Sequence, residues 1–278
     1  MKKKICCLLL GGLVLSSCGL MAACEKSDHV IDGIEYTRIP EGIMAMIDDP
    51  AITQASPLAE FDGEPVVKVD FWDGTDLEEL HLPSSVRELS IKNCPSLRLL
   101  ELNDGLLKLS SLSGLPALTE LTIPASVRKV GTFYNNENGT GGLTVYYEGS
   151  VEQMMNMEFS VVGGFGSCKA LYVDGELFTD PVVPDGVSAI PAFIFTNMMQ
   201  LKSITLPSSV TNIGEEAFSG CRALSDIYYQ STTLNWDMIG KGHAWNSNNL
   251  PGEERGLLSF TVHCTDGDIE YGPVLPQE

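Results

Sequence analysis

The sequence predicts a β-rich solenoid, a stack of short coils that bury a common core. Three observations carry this reading. The phrase Leu82-Pro83-Ser84-Ser85-Val86 returns unchanged as Leu206-Pro207-Ser208-Ser209-Val210. Weaker copies are Ile123-Pro124-Ala125-Ser126-Val127, Val183-Pro184-Asp185-Gly186-Val187, Ile39-Pro40-Glu41-Gly42-Ile43 and, with the proline lost, Leu102-Asn103-Asp104-Gly105-Leu106. Apolar residues keep one register around all six copies. Ile34, Leu77, Leu97, Leu118, Phe178 and Leu201 stand six before the proline position, and Met46, Leu89, Leu109, Val130, Ile190 and Ile213 six after it. The steps 83 to 103, 103 to 124 and 184 to 207 are 20, 21 and 23 residues, the length of one short structural repeat. A unit of that size cannot bury its own apolar face, so neighbours must stack.

Taken in order, residues 1–24 read as a lipoprotein signal peptide. Lys2, Lys3 and Lys4 precede an apolar run from Ile5 to Leu15 that is too short to span a bilayer. The run ends in Leu15-Ser16-Ser17-Cys18, which resembles a lipobox, so Cys18 is the expected acylated residue; Cys24, after Met21-Ala22-Ala23, is the alternative. Residues 25–60 are expected to be an N-terminal tether and cap holding one degenerate repeat. Residues 61–142 form a first repeat block that opens with another degenerate unit around Val66–Phe71. Residues 143–170 hold a Tyr-Tyr strand unit and an insertion, 171–230 a second repeat block, and 231–278 a C-terminal cap.

Within a unit, Leu77-x-x-Leu80-x-Leu82 and Leu201-x-x-Ile204-x-Leu206 alternate apolar positions, as a strand with one buried face does. Proline ends the strand because it cannot donate to a sheet ladder, and Ser-Ser, Asp-Gly or Glu-Gly supplies the turn. Val210-x-x-Ile213 begins a second extended piece, and Glu215 to Cys221 reads as a single helical turn. Val145-Tyr146-Tyr147, with Met154 following, mirrors Ile227-Tyr228-Tyr229, with Trp236 at the same offset. In each Tyr-Tyr pair, alternation sends one ring inward and the other out. Outward tyrosines could stack sugars or anchor a protein, or else cover the solenoid end.

The stretch Leu201 to Ile227, with Ile213-Gly214, Ala217-Phe218 and Cys221, resembles the BspA-like (Treponema-type) leucine-rich repeat of surface lipoproteins. The unit from Phe178 to Leu201 fits with Ala192-Phe193 displaced, while the copies at 83, 103 and 124 keep their leucines without the Ala-Phe pair. The fold class is therefore a β-rich leucine-rich-repeat solenoid of the α/β repeat class. It is built of short strands with single helical turns, in two repeat blocks with an irregular interruption. The resemblance also implies that a Tyr-Tyr strand followed by a Trp-bearing helix closes a run of repeats, and that Phe260 to Asp268 is a terminal strand. It implies an outer-membrane lipoprotein facing the cell surface, a family in which some members adhere to host proteins or other bacteria.

Composition bounds the function. Seventeen basic and thirty-seven acidic residues give a net charge of −20, and about −23 once Lys2, Lys3 and Lys4 are removed with the signal. Such a chain repels phosphate backbones and anionic lipid, which excludes nucleic acid and leaves the lipid anchor as the only membrane contact. Beyond the signal, four of the eight cysteines remain, and Cys94 and Cys221 each close a repeat, so buried thiols are expected in preference to bridges. The histidines His29, His81, His243 and His263 are scattered, and no CxxC or HExxH occurs, so no metal site or cofactor is implied.

Candidate chemistry is thin. Glu78-Glu79 and Glu215-Glu216 are adjacent and point apart on solvated turns; the Pro-Ser-Ser serines have no nearby histidine. Gly163-Gly164-Phe165-Gly166 lacks the Lys-Ser/Thr of a phosphate loop, and Asp266-Gly267-Asp268 lacks the distal glutamate of a calcium loop. The expectation is a non-enzymatic surface module that binds a host or bacterial protein or glycan. The alternative is a structural envelope component with no external ligand.

Overall fold

The computed structural model describes residues 29–134, 142–160, 164–248 and 256–272. The predicted signal peptide with Cys18 and Cys24 lies outside the described residues. So do the start of the 25–60 segment, Gly163 and the end of the C-terminal cap.

Five copies of the phrase fold as the same β-turn. The N–H groups of Val86, Leu106, Val127, Val187 and Val210 donate to the carbonyls of Pro83, Asn103, Pro124, Pro184 and Pro207 at 3.1–3.3 Å. Proline is tolerated because this turn asks it only for a carbonyl. The turn joins two columns of strands. The first column runs Gln54–Ala55, Glu79–His81, Leu99–Glu101, then Glu120–Ile123, Thr144–Tyr147, Ala170–Val173, then Ser203–Leu206, Asp226–Tyr229 and Phe260–Cys264. The second runs Gly42–Ile47, Glu64–Trp72, Glu88–Lys92, Lys108–Ser113, Lys129–Tyr134 and Glu158–Phe159, then Ala189–Ile190, Asn212–Ile213 and Gly240–Lys241. Pairing between successive coils is parallel, so Val69, Leu89, Leu109 and Val130 stack in register inside the second column. The extra residue of the 21-residue step is absorbed as a bulge between Leu109 and Ser111.

The buried register follows the sequence closely. The residues six before and three after the proline position are buried in all six copies. Burying one such leucine or valine stabilises by about 1.5–3 kcal/mol, which makes the stack self-supporting only when coils are adjacent. The copy at 39–43 differs in its backbone. It is the turn of an antiparallel hairpin between Ile34–Ile39 and Gly42–Ile47, so strand and return strand pair with each other. The predicted stacking residue Met46 is only half-buried. Ala45 takes the place beside Val69, because the ladder shifts by one residue between Ile43 and Met44, and a one-residue shift exchanges the faces.

The single helical turn expected at Glu215–Cys221 is a run of hydrogen-bonded turns. Phe193, Phe195 and Asn197 donate to the carbonyls of Glu215, Ala217 and Ser219, while Glu216, Phe218 and Gly220 donate to His243, Trp245 and Ser247. The alternate N–H groups thus tie one coil to the next instead of closing a helix. Left-handed residues at Phe193, Asn197, Glu216 and Gly220 make this geometry. In the preceding coil Ile194-Phe195, not Ala192-Phe193, occupies the position of Ala217-Phe218. Phe178, Phe195, Phe218 and Trp245 then form a ring column with centroid spacings of 5.8, 5.4 and 6.2 Å.

True helices stand where two coils lack the proline turn. Helix α1 (Val151–Met155) follows Thr144–Tyr147, and helix α2 (Thr233–Met238) follows Asp226–Tyr229. Ser150 and Thr232 cap them, each accepting from the backbone three residues on, and Gln153 completes a capping box with Ser150. Met154 and Trp236 are fully buried at matching places. The irregularity between the two repeat blocks therefore sits on the turn side, while Thr144–Tyr147 keeps its place in the parallel ladder. Antiparallel hairpins close both ends: Val30–Ile31 and Ile34–Ile39 at one, Phe260–Cys264 and Gly267–Tyr271 at the other.

Candidate interaction surface

Strand alternation in the first column lays one row of side chains along the outside. His81 is in register with Glu101, Thr122 with Tyr146, and Tyr146 with Tyr172. Further along, Val182 bridges to Thr205, which is in register with Tyr228, and Tyr228 with His263. The predicted split of each tyrosine pair is present: Tyr147 and Tyr229 are buried, while Tyr146 is 37% and Tyr228 45% exposed. Neither outward ring covers an end of the solenoid. Tyr146 stacks on Tyr172 at 5.0 Å, and Tyr228 on the imidazole of His263 at 4.9 Å. Tyr172 and His263 escape sequence reasoning as members of this row. Leu171-Tyr172-Val173 does share the alternation of Val145-Tyr146-Tyr147, which is the signal that could have found it.

The ladder of the first column is interrupted between Leu99–Glu101 and Glu120–Ile123, which end separate sheets. A shallow groove of about 450 Å³ opens there. Leu99, Leu102 and Pro124 form part of its apolar surface, and Glu101, Asp104, Glu120, Glu148 and Tyr146 are among the rest of the lining. All four carboxylates are on exposed residues, and none of the lining residues is basic. Glu101 is tied to His81 at 2.6 Å.

At the far end of the row His263 sits between two carboxylates, Nε2 to Asp226 at 2.8 Å and Nδ1 to Asp268 at 3.0 Å. The Asp226 hydrogen bond holds its pKa above the ordinary value, opposed by partial desolvation and supported by Asp268. Asp226 is correspondingly lowered, first by the Ser225 hydroxyl and then by His263.

The second column presents a charge-balanced face. Glu88 accepts from Lys108 at 3.1 Å and lies 3.5 Å from Lys68, and Lys129 pairs with Glu158 at 2.8 Å. Trp72, half-exposed, is covered by Lys92 at 4.4 Å and donates its indole N–H to Ser90.

Several of the candidate chemical groups are committed to structural bonds. Glu78 and Glu79 both engage Arg98. Ser126 and Ser209 donate to the carbonyls of Leu106 and Val187 in the preceding coil. Asp266 accepts from the backbone and hydroxyl of Thr233 at the start of α2, and Asp268 from His263, so the predicted weak calcium turn is committed to internal bonds. The described cysteines Cys94, Cys168, Cys221 and Cys264 are free thiols. Burial pushes Cys94 up to about 11 and Cys221 to about 12, with Cys221 Sγ donating to the Phe195 carbonyl at 2.9 Å. Cys264 is only half-buried.

Comparison with known proteins agrees with this architecture. Residues 172–250 match the BspA type leucine rich repeat region in six copies. A leucine-rich repeat protein of Treponema pallidum is similar at 21% identity, over 79% of this chain and 88% of that one, with a TM-score of 0.41. A leucine-rich repeat protein of Bacteroides ovatus is similar at 16% identity over 80% of each chain (TM-score 0.29). One of Eubacterium ventriosum is similar at 15% identity, over 77% of this chain and 67% of that one (TM-score 0.37). No curated protein matches the chain.

Proposed function

From a leucine-rich-repeat solenoid whose residues 172–250 are of the BspA type, we propose a non-catalytic binding module that engages its partner through the outer face of the first strand column. The observation that carries this is the row of outward side chains. Tyr146 and Tyr172 stack at 5.0 Å on one sheet and Tyr228 stacks on His263 at 4.9 Å on the next, with Tyr146 and Tyr228 exposed and Tyr172 half-exposed. Rigid aromatics lose little conformational entropy on contact and dominate interface energies. Leucine-rich repeats are interaction scaffolds, and adhesion to a host or bacterial protein or glycan is the finer reading for this chain. The chain is exported and held to the outer membrane by acylation of Cys18, or of Cys24, with the solenoid facing outward.

Three measurements test this. A capture screen with residues 25–278 against matrix proteins and glycans is expected to return a partner whose binding falls on combined Tyr146→Ala and Tyr228→Ala substitution. Surface proteolysis of intact cells is expected to remove the folded part; protection would speak for an internal structural component of the envelope. In palmitate labelling, Cys18→Ala is expected to abolish incorporation, and label that survives both Cys18→Ala and Cys24→Ala would sink the anchor.

A further inference from the structure

We propose that the break in the first column between Leu99–Glu101 and Glu120–Ile123 is a docking groove for an extended segment of a protein partner bearing lysine or arginine side chains. This rests on the reading of the chain as a binding module and assigns the chemistry of what it holds. The geometry comes first. The parallel ladder of this column breaks between Leu99–Glu101 and Glu120–Ile123 and again between Ala170–Val173 and Ser203–Leu206; at the second break Val182 bridges to Thr205, and the groove lies at the first. A groove of about 450 Å³ lies along the break between Leu99–Glu101 and Glu120–Ile123, lined by residues of both strands and by Leu102 and Pro124. An extended chain has the shape of such a trough and can offer its own N–H and C=O groups to strand edges left out of a ladder.

The second observation is the aromatic pair at one margin. Tyr146 lines the groove, and its ring lies against Tyr172 at 5.0 Å with 21° between planes, which fixes it as a platform. A π-face is attracted to a cation laid over it.

Charge then selects the occupant. Asp104, Glu120 and Glu148, with Glu101 hydrogen-bonded to His81, rim the groove with no lysine or arginine among the lining, whereas the second column's carboxylates on Glu88 and Glu158 are answered by Lys68, Lys108 and Lys129. Across the whole chain acidic residues outnumber basic ones thirty-seven to seventeen, so the long-range field also draws cations and repels acidic chains. A neutral glycan could stack on the tyrosines and donate hydroxyls to the rim carboxylates, but it gains nothing from their net charge; a basic peptide uses the rings and the charge.

The test is a fluorescence-anisotropy titration of the full chain with a short labelled peptide carrying lysine at alternate positions, beside versions with glutamine or glutamate there. Only the lysine peptide is expected to bind, more weakly as salt rises. Combined Tyr146→Ala, Glu120→Gln and Glu148→Gln is expected to weaken it about tenfold or more, the summed scale of one cation–π contact and two exposed ion pairs. Tyr146→Phe keeps the ring and should keep the affinity. Glu60→Gln with Asp185→Asn removes the same charge away from the groove and should change affinity less than about twofold. Equal weakening by both charge-removing sets would mean diffuse attraction and overturn the groove, as would failure of the lysine peptide to bind. A captured partner whose binding survives the groove substitutions would end this proposal and leave the binding-module reading standing. Absence of any captured partner together with no peptide binding would end both.

Discussion

Single residues in this chain are constrained chiefly by how near the next coil lies. Gly214, the glycine of Ile213-Gly214, is an instance. A Cβ there would come within 2.3 Å of the Ala192 backbone N, and backbone has nowhere to give. Gly214→Ala is therefore expected to destabilise by about 1–3 kcal/mol, measured as a lowered urea midpoint with an unchanged slope. His263 offers the opposite case, a half-buried residue held by charge. Its pKa is raised in the fold above the ordinary 6.5, so its stabilisation is complete below that pH and is lost as pH rises through the folded value. Asp226, lowered from 3.8, gives stability above its ordinary pKa that is lost on acidification. The cross-strand contact is then strongest between roughly pH 4 and 6.5. Protection factors of the Phe260–Cys264 amides, corrected for the intrinsic pH dependence of exchange, should be higher in that window than at pH 8, and His263→Gln should remove the difference. An NMR titration placing the His263 pKa below 6.5 would contradict this account.

At the scale of elements, the two short helices decide how a coil closes without proline. Each has fewer than two turns, so neither is stable by propensity, and packing must hold it. Trp236 of α2 does this from full burial. Its ring meets Tyr229, Trp245 and Tyr271, its indole N–H donates to the Tyr271 hydroxyl at 3.0 Å, and Lys241 Nζ lies 4.8 Å above it. Trp236→Ala should cost about 3–5 kcal/mol, and Thr232→Ala, which removes the cap, about 1 kcal/mol. Thermal unfolding followed by Trp fluorescence and far-ultraviolet dichroism would rank the two. The Pro-Ser-Ser coils need no such helix, because their turn is closed by one backbone hydrogen bond and two small side chains.

For the whole molecule, the open question in any stack of parallel strands is what ends it, since a free strand edge recruits another chain. Here the second column begins beyond an antiparallel hairpin, and the first column ends in Phe260–Cys264 folded back on Gly267–Tyr271. Removing residues 256–278 would bare the Asp226–Tyr229 edge together with Tyr228. The truncated chain is expected to self-associate at concentrations where the full chain does not, as sedimentation velocity would report.

The sequence alone specifies the repeat: where each strand ends, which residues are buried on either side of the turn, and which tyrosine of each pair faces out. Those properties are local or periodic, since a proline, a two-residue alternation and a fixed apolar offset mean the same thing in every coil. Tertiary structure decided the rest. Met46 keeps the apolar offset, yet a bulge gives its place to Ala45; Glu215–Cys221 has helical residues, yet its N–H groups find partners in the next coil. The groove between Leu99–Glu101 and Glu120–Ile123, and the stacking of Tyr146 on Tyr172 and Tyr228 on His263, depend on which coils lie adjacent and in what register. No single repeat encodes that relation between neighbours, because it is created only when the coils pack.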